Sequence, residues 1–259
     1  MTDLAKQADQ LRWYHTIELP GGVVTKGLFD LRGLPEKIPI PQSLAGQRCL
    51  DIGTCDGFWA FELERRGAAE VVAIDLGDPS KRDLTVAVKK TRATSASKDT
   101  FALAHEVLGS KVAFRDCSVY DLNSGDFGEF DFVFMGSLLL HLRDPVLALT
   151  AVRTVAKGQF LSYDSISPMM TVLAPRTPAA KLHGNLRQEW WIPNTAGRKR
   201  ELEAGGFEVL DSGRVSWVKR RGASRRVWTY RKRPFSAAML AYLGVPHTWV
   251  LARRSTTAN

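Results

Sequence analysis

Residues 48–57 read Arg-Cys-Leu-Asp-Ile-Gly-Thr-Cys-Asp-Gly, and a second apolar run, Val71–Ile74, ends at Asp75. Short apolar runs bounded by turn residues predict buried strands, here Cys49–Ile52 and Val71–Ile74. The helix Phe58–Arg66 is expected between them. Strand, glycine-marked loop, helix and strand in this order are typical of a parallel α/β sheet.

The loop after the first strand indicates a ligand site. Gly53 and Gly57 let the backbone turn sharply and approach a ligand closely. Asp75, at the carboxyl end of the second strand, can accept both hydroxyls of a ribose. The dinucleotide-binding pattern is G-x-G-x-x-G, whereas this loop reads Asp-x-Gly-x-x-x-Gly from Asp51. The variant suits a ligand with an amino-acid group and a sulfonium, although a generic doubly wound protein remains the alternative.

Composition limits the class of protein. The chain has 259 residues, 44% of them hydrophobic, enough for one α/β domain with decorations. No apolar run approaches the ~18 residues of a membrane-spanning helix. The polar stretch Met1–Gln10 lacks a signal core, so secretion is not expected. Cys49, Cys55 and Cys117 are scattered, which predicts neither disulfides nor a metal site and fits the cytoplasm.

The net charge of +9 is concentrated near the end of the sequence. No acidic residue follows Asp211, whereas eleven Lys and Arg residues do, most of them within residues 213–233. This basic segment indicates either an anionic partner or a solvated surface hairpin.

The chain divides into residues 1–45, an N-terminal helix (3–13) with a loop-rich lid segment, and residues 46–259, one ligand-binding domain. Strands are expected at 49–52, 71–74, 111–114, 130–135, 159–163, 207–210 and 249–252. Helices are expected at 58–66, 81–93, 98–109, 144–155 and 194–204. Residues 164–193 interrupt this alternation as an insertion after strand five, and long insertions are usually functional.

A second motif lies at the end of the fourth expected strand. Phe130–Met135 is followed by the turn Gly136-Ser137, by His141 and then by Asp144-Pro145, which opens a helix. Since ligands bind at the carboxyl ends of parallel strands, His141 is a candidate general base. The alternative is that His141 only packs against the ligand or caps the helix. Two further candidate bases, Asp164 and His183, lie in the insertion.

Other candidate residues are less specific. Cys117, Ser118 and Val119 follow the third strand and are candidates for adenine contacts, whereas Asp116 and Asp121 there could equally face solvent. The N-terminal residues Trp13, Tyr14 and His15 could fold over the ligand, although ordinary packing is the expectation for Trp13. Aromatic residues beside charges suit recognition of a flat or polar acceptor. The predicted substrate contacts are therefore Tyr14, His15, Arg187, Trp190 and Trp191.

Together these motifs resemble those of the class I S-adenosylmethionine (SAM)-dependent methyltransferases, from about residue 24 onward. The resemblance implies a Rossmann-like seven-stranded sheet with helices on both faces, SAM as cofactor and S-adenosylhomocysteine as product. It implies cofactor contacts from Lys26, Asp51, Gly53, Thr54, Gly57, Asp75, Leu76, Cys117, Ser118, Val119, Met135 and Gly136.

Within this superfamily the chain is most similar to the tRNA wobble-uridine carboxymethyltransferases. The similar elements are Lys26–Phe29, Met135–Pro145, Trp191–Pro193 and Gly206-Phe207. The family's Tyr before the His is Leu140 here, and its late Arg is replaced around His247-Thr248. Those family residues help to hold the carboxylate of carboxy-SAM, so the substitutions favour ordinary SAM. Only Lys26 remains to anchor such a carboxylate. The family's N-terminal tRNA-binding region has no counterpart, since about 45 residues precede the first strand.

The sequence therefore predicts transfer of a methyl group from SAM to an oxygen or nitrogen of a small-molecule acceptor, anionic or aromatic, with no membrane partner. A tRNA- or RNA-modifying methyl- or carboxymethyltransferase is the alternative, supported by the aromatic residues within the basic segment. A binding protein without catalysis is the third and least favoured hypothesis.

Overall fold

The computed structural model describes residues 2–83, 97–183, 189–219 and 244–256. Its helices are α1 (Asp3–Gln10), α2 (Phe58–Arg65), α3 (Ser97–Leu108), α4 (Ser124–Phe127), α5 (Pro145–Val155), α6 (Pro168–Leu173) and α7 (Thr195–Ala204). Its strands are β1 (Glu18–Leu19), β2 (Val23–Val24), β3 (Arg48–Ile52), β4 (Glu70–Asp75), β5 (Ala113–Asp116), β6 (Phe130–Gly136), β7 (Ala156–Ser165), β8 (Ala180–Leu182), β9 (Trp191–Pro193), β10 (Phe207–Ser212), β11 (Ser216–Val218) and β12 (Val245–Arg254). Among these residues, none of the helices has the length and apolarity needed to cross a bilayer.

The central sheet has the strand order β10-β12-β7-β6-β3-β4-β5. The strands from β7 to β5 pair in parallel, whereas β12 is antiparallel to both of its neighbours. The short strand β11 also pairs with β12 and adds to the strands expected from the sequence. The carboxyl ends of β3 to β7 and the amino end of β12 therefore meet at one edge of the sheet.

Apolar side chains cover both faces of this sheet, as expected for buried parallel strands. On one face, Leu50 and Ile52 pack in a cluster that includes residues of α5 and α7. On the other face, Cys49 packs with residues of α2 and α3, including Trp59 and Phe101. The helices thus lie on both faces of the sheet. The buried polar side chains described below lie at the edge where the carboxyl ends of the parallel strands meet.

Some element boundaries differ from those expected. Strand β5 begins at Ala113 rather than at 111, because the Lys111 backbone N–H is bound by the Glu64 carboxylate at 2.6 Å. Helix α1 ends at Gln10 rather than at Trp13, whose indole folds back to donate to the Ala8 carbonyl at 2.8 Å. Residues 84–93 of the helix expected at 81–93 lie outside the described residues, as do residues 220–233 of the basic segment.

The insertion and the N-terminal segment both contact turns at the carboxyl ends of the parallel strands, the insertion through Trp190 and the N-terminal segment through His15. Strand β7 continues to Ser165, so the insertion proper is α6 with the β8–β9 hairpin. Its end is fixed by Asn194, whose side chain accepts the Gly197 N–H at 2.7 Å and caps α7. The N-terminal helix α1 belongs to a small apolar cluster with α3, in which Trp13 is buried.

Candidate active site

The loop after β3 turns back over the end of β4. The backbone N–H groups of Gly53 and Thr54 both donate to the Ile74 carbonyl, at 2.9 and 3.1 Å. Gly53 has a φ of +78°, and a Cβ there would lie 3.3 Å from the Leu138 side chain. The backbone conformation therefore favours a glycine, and a side chain here would also press on Leu138 of the second motif.

Asp51 lies beneath this loop and is buried. Among the described residues, neither of its carboxylate oxygens has a hydrogen-bond partner. Burial raises the pKa of Asp51 to about 7, and the nearby Asp75 carboxylate adds to this effect. A buried carboxylate without a partner favours a cationic ligand group, and the methionine ammonium of SAM is such a group. The site therefore fits the amino-acid end of SAM.

Asp75 is held by backbone donors at the end of β4. One carboxylate oxygen accepts the Cys55 N–H at 2.8 Å and the other accepts the Leu76 N–H at 2.7 Å. Burial raises the pKa of this carboxyl above its ordinary value. Because each carboxylate oxygen can accept a second hydrogen bond, the fixed carboxylate has capacity left for ribose hydroxyls.

A polar cavity of about 320 Å³ opens beside Asp75, at the ends of β4 and β5. It is lined by Leu76, Lys81, Asp116, Cys117, Ser118 and Asp121. The predicted adenine contacts Cys117 and Ser118 are thus together here with Leu76. The predicted contact Val119 has its side chain in the apolar core instead. The Asp116 carboxylate fixes the cavity wall by accepting the Gly77 N–H at 2.8 Å and the Lys98 ammonium at 3.0 Å.

The turn after β6 carries the second motif. Met135 is buried in the core, so only its backbone is available to a ligand, whereas Gly136 borders a cavity described below. His141 ends a single helical turn and is partly buried. Asp164, a candidate base, is fully buried, accepts the Leu139 N–H at 2.7 Å and lies 3.5 Å from the Arg198 guanidinium. Asp164 therefore stabilises the turn that follows β6.

A second cavity, of about 30 Å³, lies at the ends of β6 and β7 and holds roughly one water molecule. It is lined by Tyr14, His15, Phe29, Leu31, Trp59, Gly136, Ser137, Tyr163, Val218 and His247. Of the predicted substrate contacts, Tyr14 and His15 are therefore brought to the sheet edge. His141 is not among the lining residues.

His15 and Asp56 form a buried pair beside this cavity. One Asp56 oxygen accepts the backbone N–H groups of Tyr14 and His15 at 2.9 and 2.7 Å, and the other binds His15 Nδ1. Both side chains are almost fully buried. The pair joins the N-terminal segment to the loop that follows β3 and Asp51.

His247 forms a second polar group on the cavity wall. Its Nδ1 lies 2.9 Å from the Val245 carbonyl and its Nε2 lies 2.9 Å from the Ser137 hydroxyl. Because a carbonyl can only accept, Nδ1 carries the proton and Nε2 accepts from Ser137. Burial lowers the pKa of His247, which keeps the ring neutral. The ring also stacks on Tyr163 at 4.9 Å between centroids.

Three of the remaining predicted contacts, Trp190, Trp191 and Lys26, line neither of the two cavities described above. Trp190 donates its indole N–H to the Asp83 carbonyl, and the Arg143 guanidinium lies 5.0 Å from the centre of its ring. The Trp191 indole donates to the Arg143 carbonyl at 3.0 Å. Lys26 is exposed and paired with Asp9 of α1 at 2.6 Å.

Two further predicted residues add little to this geometry. Arg187 lies outside the described residues. The backbone N–H of His183 donates to the Trp190 carbonyl at 2.8 Å within the insertion hairpin.

Comparison with known proteins identifies the central part of the chain. A family model described as "Methyltransferase domain" matches residues 50–159, from the Asp51 loop to the start of β7. The chain contains a methyltransferase domain. Within it lie Asp51, Asp75 and the lining of the polar cavity.

Two curated relatives contain similar domains. A tRNA U34 carboxymethyltransferase of Helicobacter acinonychis is 25% identical over 169 residues, which cover 64% of this chain and 57% of that protein. A ubiquinone biosynthesis O-methyltransferase of Alkalilimnicola ehrlichii is 36% identical over 125 residues, which cover 48% of this chain and 43% of that protein. The matches thus span about half the length of these relatives.

A solved structure extends the likeness to the whole fold. The N-terminal domain of EvdMO1, crystallised with S-adenosylhomocysteine, covers 98% of both chains with a TM-score of 0.57 and 18% sequence identity. The prediction of a class I SAM-dependent methyltransferase fold is confirmed.

Proposed function

We propose that this protein is an enzyme that transfers a methyl group from SAM to an oxygen or nitrogen of a small-molecule acceptor. The observation that supports this most is the arrangement around Asp51. In the order of the sheet, β3 lies between the strands that border the polar cavity and those that border the smaller one. This order supports the proposal of a nucleoside site beside β4 and β5, a cation site at Asp51 and an acceptor site beside β6 and β7.

The residues of this edge have separable roles in the proposal. Asp75 would accept the ribose hydroxyls, Cys117 and Ser118 would border the adenine, and Asp51 would pair with the methionine ammonium. When bound, SAM supplies an electrophilic methyl group on a sulfonium. The buried polar groups hold these contacts in fixed positions, so alignment of the acceptor with that methyl would provide most of the rate enhancement.

The acceptor is proposed to be small because the described lining of the second cavity is largely aromatic and the cavity holds roughly one water molecule. Among the described basic residues near the end of the sequence, two are paired with acidic residues. Arg253 pairs with Glu208 at 2.8 Å and Arg254 with Glu129 at 2.9 Å, both at the surface of the sheet. One curated relative is a tRNA U34 carboxymethyltransferase, so the test includes RNA as an alternative acceptor.

The test is transfer of radiolabelled methyl from SAM to a panel of phenols, amines and carboxylates, run beside unfractionated tRNA. We expect label in the small-molecule products. The His141→Ala variant is assayed in parallel, because the sequence predicts that residue as the base. Label in tRNA alone, lost steeply as salt is raised, would replace the proposed acceptor class by RNA.

A carboxymethylated product formed from carboxy-SAM would show that the substitutions at Leu140 and around His247 do not exclude that cofactor.

A further inference from the structure

The second cavity combines apolar and aromatic side chains with two polar groups, the Ser137–His247 pair and the His15–Asp56 pair. Phe29, Trp59 and Tyr163 supply rings, and Leu31 and Val218 supply aliphatic groups. Such a lining favours a planar, mostly apolar ligand over a charged one.

The His15–Asp56 pair determines the state of the His15 ring. The Asp56 carboxylate already accepts two backbone N–H groups, and its other oxygen faces His15 Nδ1. A carboxylate that faces Nδ1 favours the tautomer of the neutral ring in which Nδ1 carries the proton, and in that tautomer Nε2 has the lone pair. Within the described part of the chain, Nε2 makes no hydrogen bond, and the residue borders the cavity. His15 can therefore accept a proton from a bound ligand.

The other two histidines near the edge are less suited to that step. Both ring nitrogens of His247 are used, one by the Val245 carbonyl and one by the Ser137 hydroxyl. His141 does not line the cavity. Tyr14, by contrast, lines the cavity and is 37% exposed. Because the cavity holds about one water molecule, a phenol ring would enter only if an exposed lining side chain such as Tyr14 moved.

We propose that this cavity binds a phenolic acceptor and that His15, oriented by Asp56, is the catalytic base that removes its hydroxyl proton. The inference rests on the proposed methyltransferase function and adds a substrate class and a base.

The reaction balances with the groups present. The phenol O–H proton moves to Nε2, and a lone pair of the phenolate oxygen forms the bond to the methyl carbon. The carbon–sulfur bond breaks with its electron pair on sulfur, which gives neutral S-adenosylhomocysteine. The imidazolium formed is paired with the Asp56 carboxylate and later gives its proton to solvent.

The test uses 4-nitrophenol, whose ionised form absorbs visible light, with the full chain saturated with S-adenosylhomocysteine. We expect the wild-type protein to bind the probe as phenolate at a pH where the free probe is mostly neutral. In H15N the Asn amide occupies the place of Nδ1 and keeps the contact with Asp56 but offers no base. H15N should bind the probe with comparable affinity and leave it neutral, and should methylate it about 10²–10⁴-fold more slowly.

H15Q is the matched control, because its amide occupies the place of Nε2 and loses the contact with Asp56. A purely structural role would leave H15N like wild type and impair H15Q. Imidazole added to H15A should restore the phenolate band, which gives the same information if H15N does not fold.

Equal phenolate bands in H15N and wild type would overturn the base. Binding of S-adenosylhomocysteine without binding of the phenol would overturn the substrate class alone. Failure to bind S-adenosylhomocysteine would overturn the proposed function and this inference with it.

Discussion

Replacing Asp51 by Asn tests the origin of the cofactor site. The pKa of this buried carboxyl is about 7, against an ordinary value of 3.8. Since one pKa unit corresponds to about 1.4 kcal/mol, the folded protein disfavours the ionised form by at most about 4 kcal/mol. The Asn side chain has the same shape and cannot ionise. It also leaves a buried polar group unpaired, but that cost does not depend on pH.

The sign of the pH effect follows from the raised pKa. Between about pH 4 and pH 7 the folded protein keeps a proton on Asp51 that the unfolded chain has lost. The contribution of this carboxyl to the free energy of unfolding therefore falls as pH rises through this window. The other titrating groups are common to both proteins, so we expect the difference in stability to move by up to about 4 kcal/mol in favour of the Asn variant from pH 4 to pH 8.

Urea unfolding of both proteins at a series of pH values, without ligand, measures this difference. A constant difference from pH 4 to pH 8 would refute the reasoning. A second measurement uses SAM, whose ammonium should favour the ionised carboxylate. Its affinity for wild type should rise with pH up to about 7 and then level off, whereas that of D51N should be weaker and lack this rise.

Three other substitutions test separate parts of the site. Asp75→Ala should weaken SAM binding by about 1–3 kcal/mol in calorimetry, since ribose hydroxyls lose their acceptor, and an unchanged dissociation constant would remove Asp75 from the site. Arg198→Met leaves Asp164 buried without its charged partner and should lower the free energy of unfolding in urea by about 3–5 kcal/mol. A loss below about 1 kcal/mol would show that Arg198 does not stabilise the buried carboxylate. Gly53→Ala forces a side chain into a φ of +78°. It should cost about 1–2 kcal/mol, and unchanged thermal stability would show that the loop adapts.

The sheet was largely predictable because its strands are buried on both faces and appear in the sequence as short apolar runs. The positions of Asp51, Gly53 and Asp75 at the ends of two adjacent strands were predictable for a related reason, since they lie within one strand–loop–strand unit. By contrast, β11 has three residues and no periodic pattern, and the start of β5 is set by the distant Glu64.

The acceptor side of the site depends on contacts that no local pattern indicates. His15 was predicted to contact substrate, but its partner Asp56 lies 41 residues away. The contact between Ser137 and His247 joins residues 110 positions apart. Asp56 does stand within the first motif, next to Gly57, and this position is the one local signal that could have drawn attention to it. For His247 and Tyr163 the fold itself had to be known.

The central claim, that this edge of the sheet binds SAM for methyl transfer, is tested most directly by thermal unfolding of the wild-type protein with SAM, S-adenosylhomocysteine and carboxy-SAM side by side. A ligand at about 100 times its dissociation constant adds about 2.7 kcal/mol to the stability of the native state. We predict a raised midpoint with SAM and S-adenosylhomocysteine and a smaller effect of carboxy-SAM. Unchanged midpoints with all three ligands would contradict the cofactor site and the function built on it.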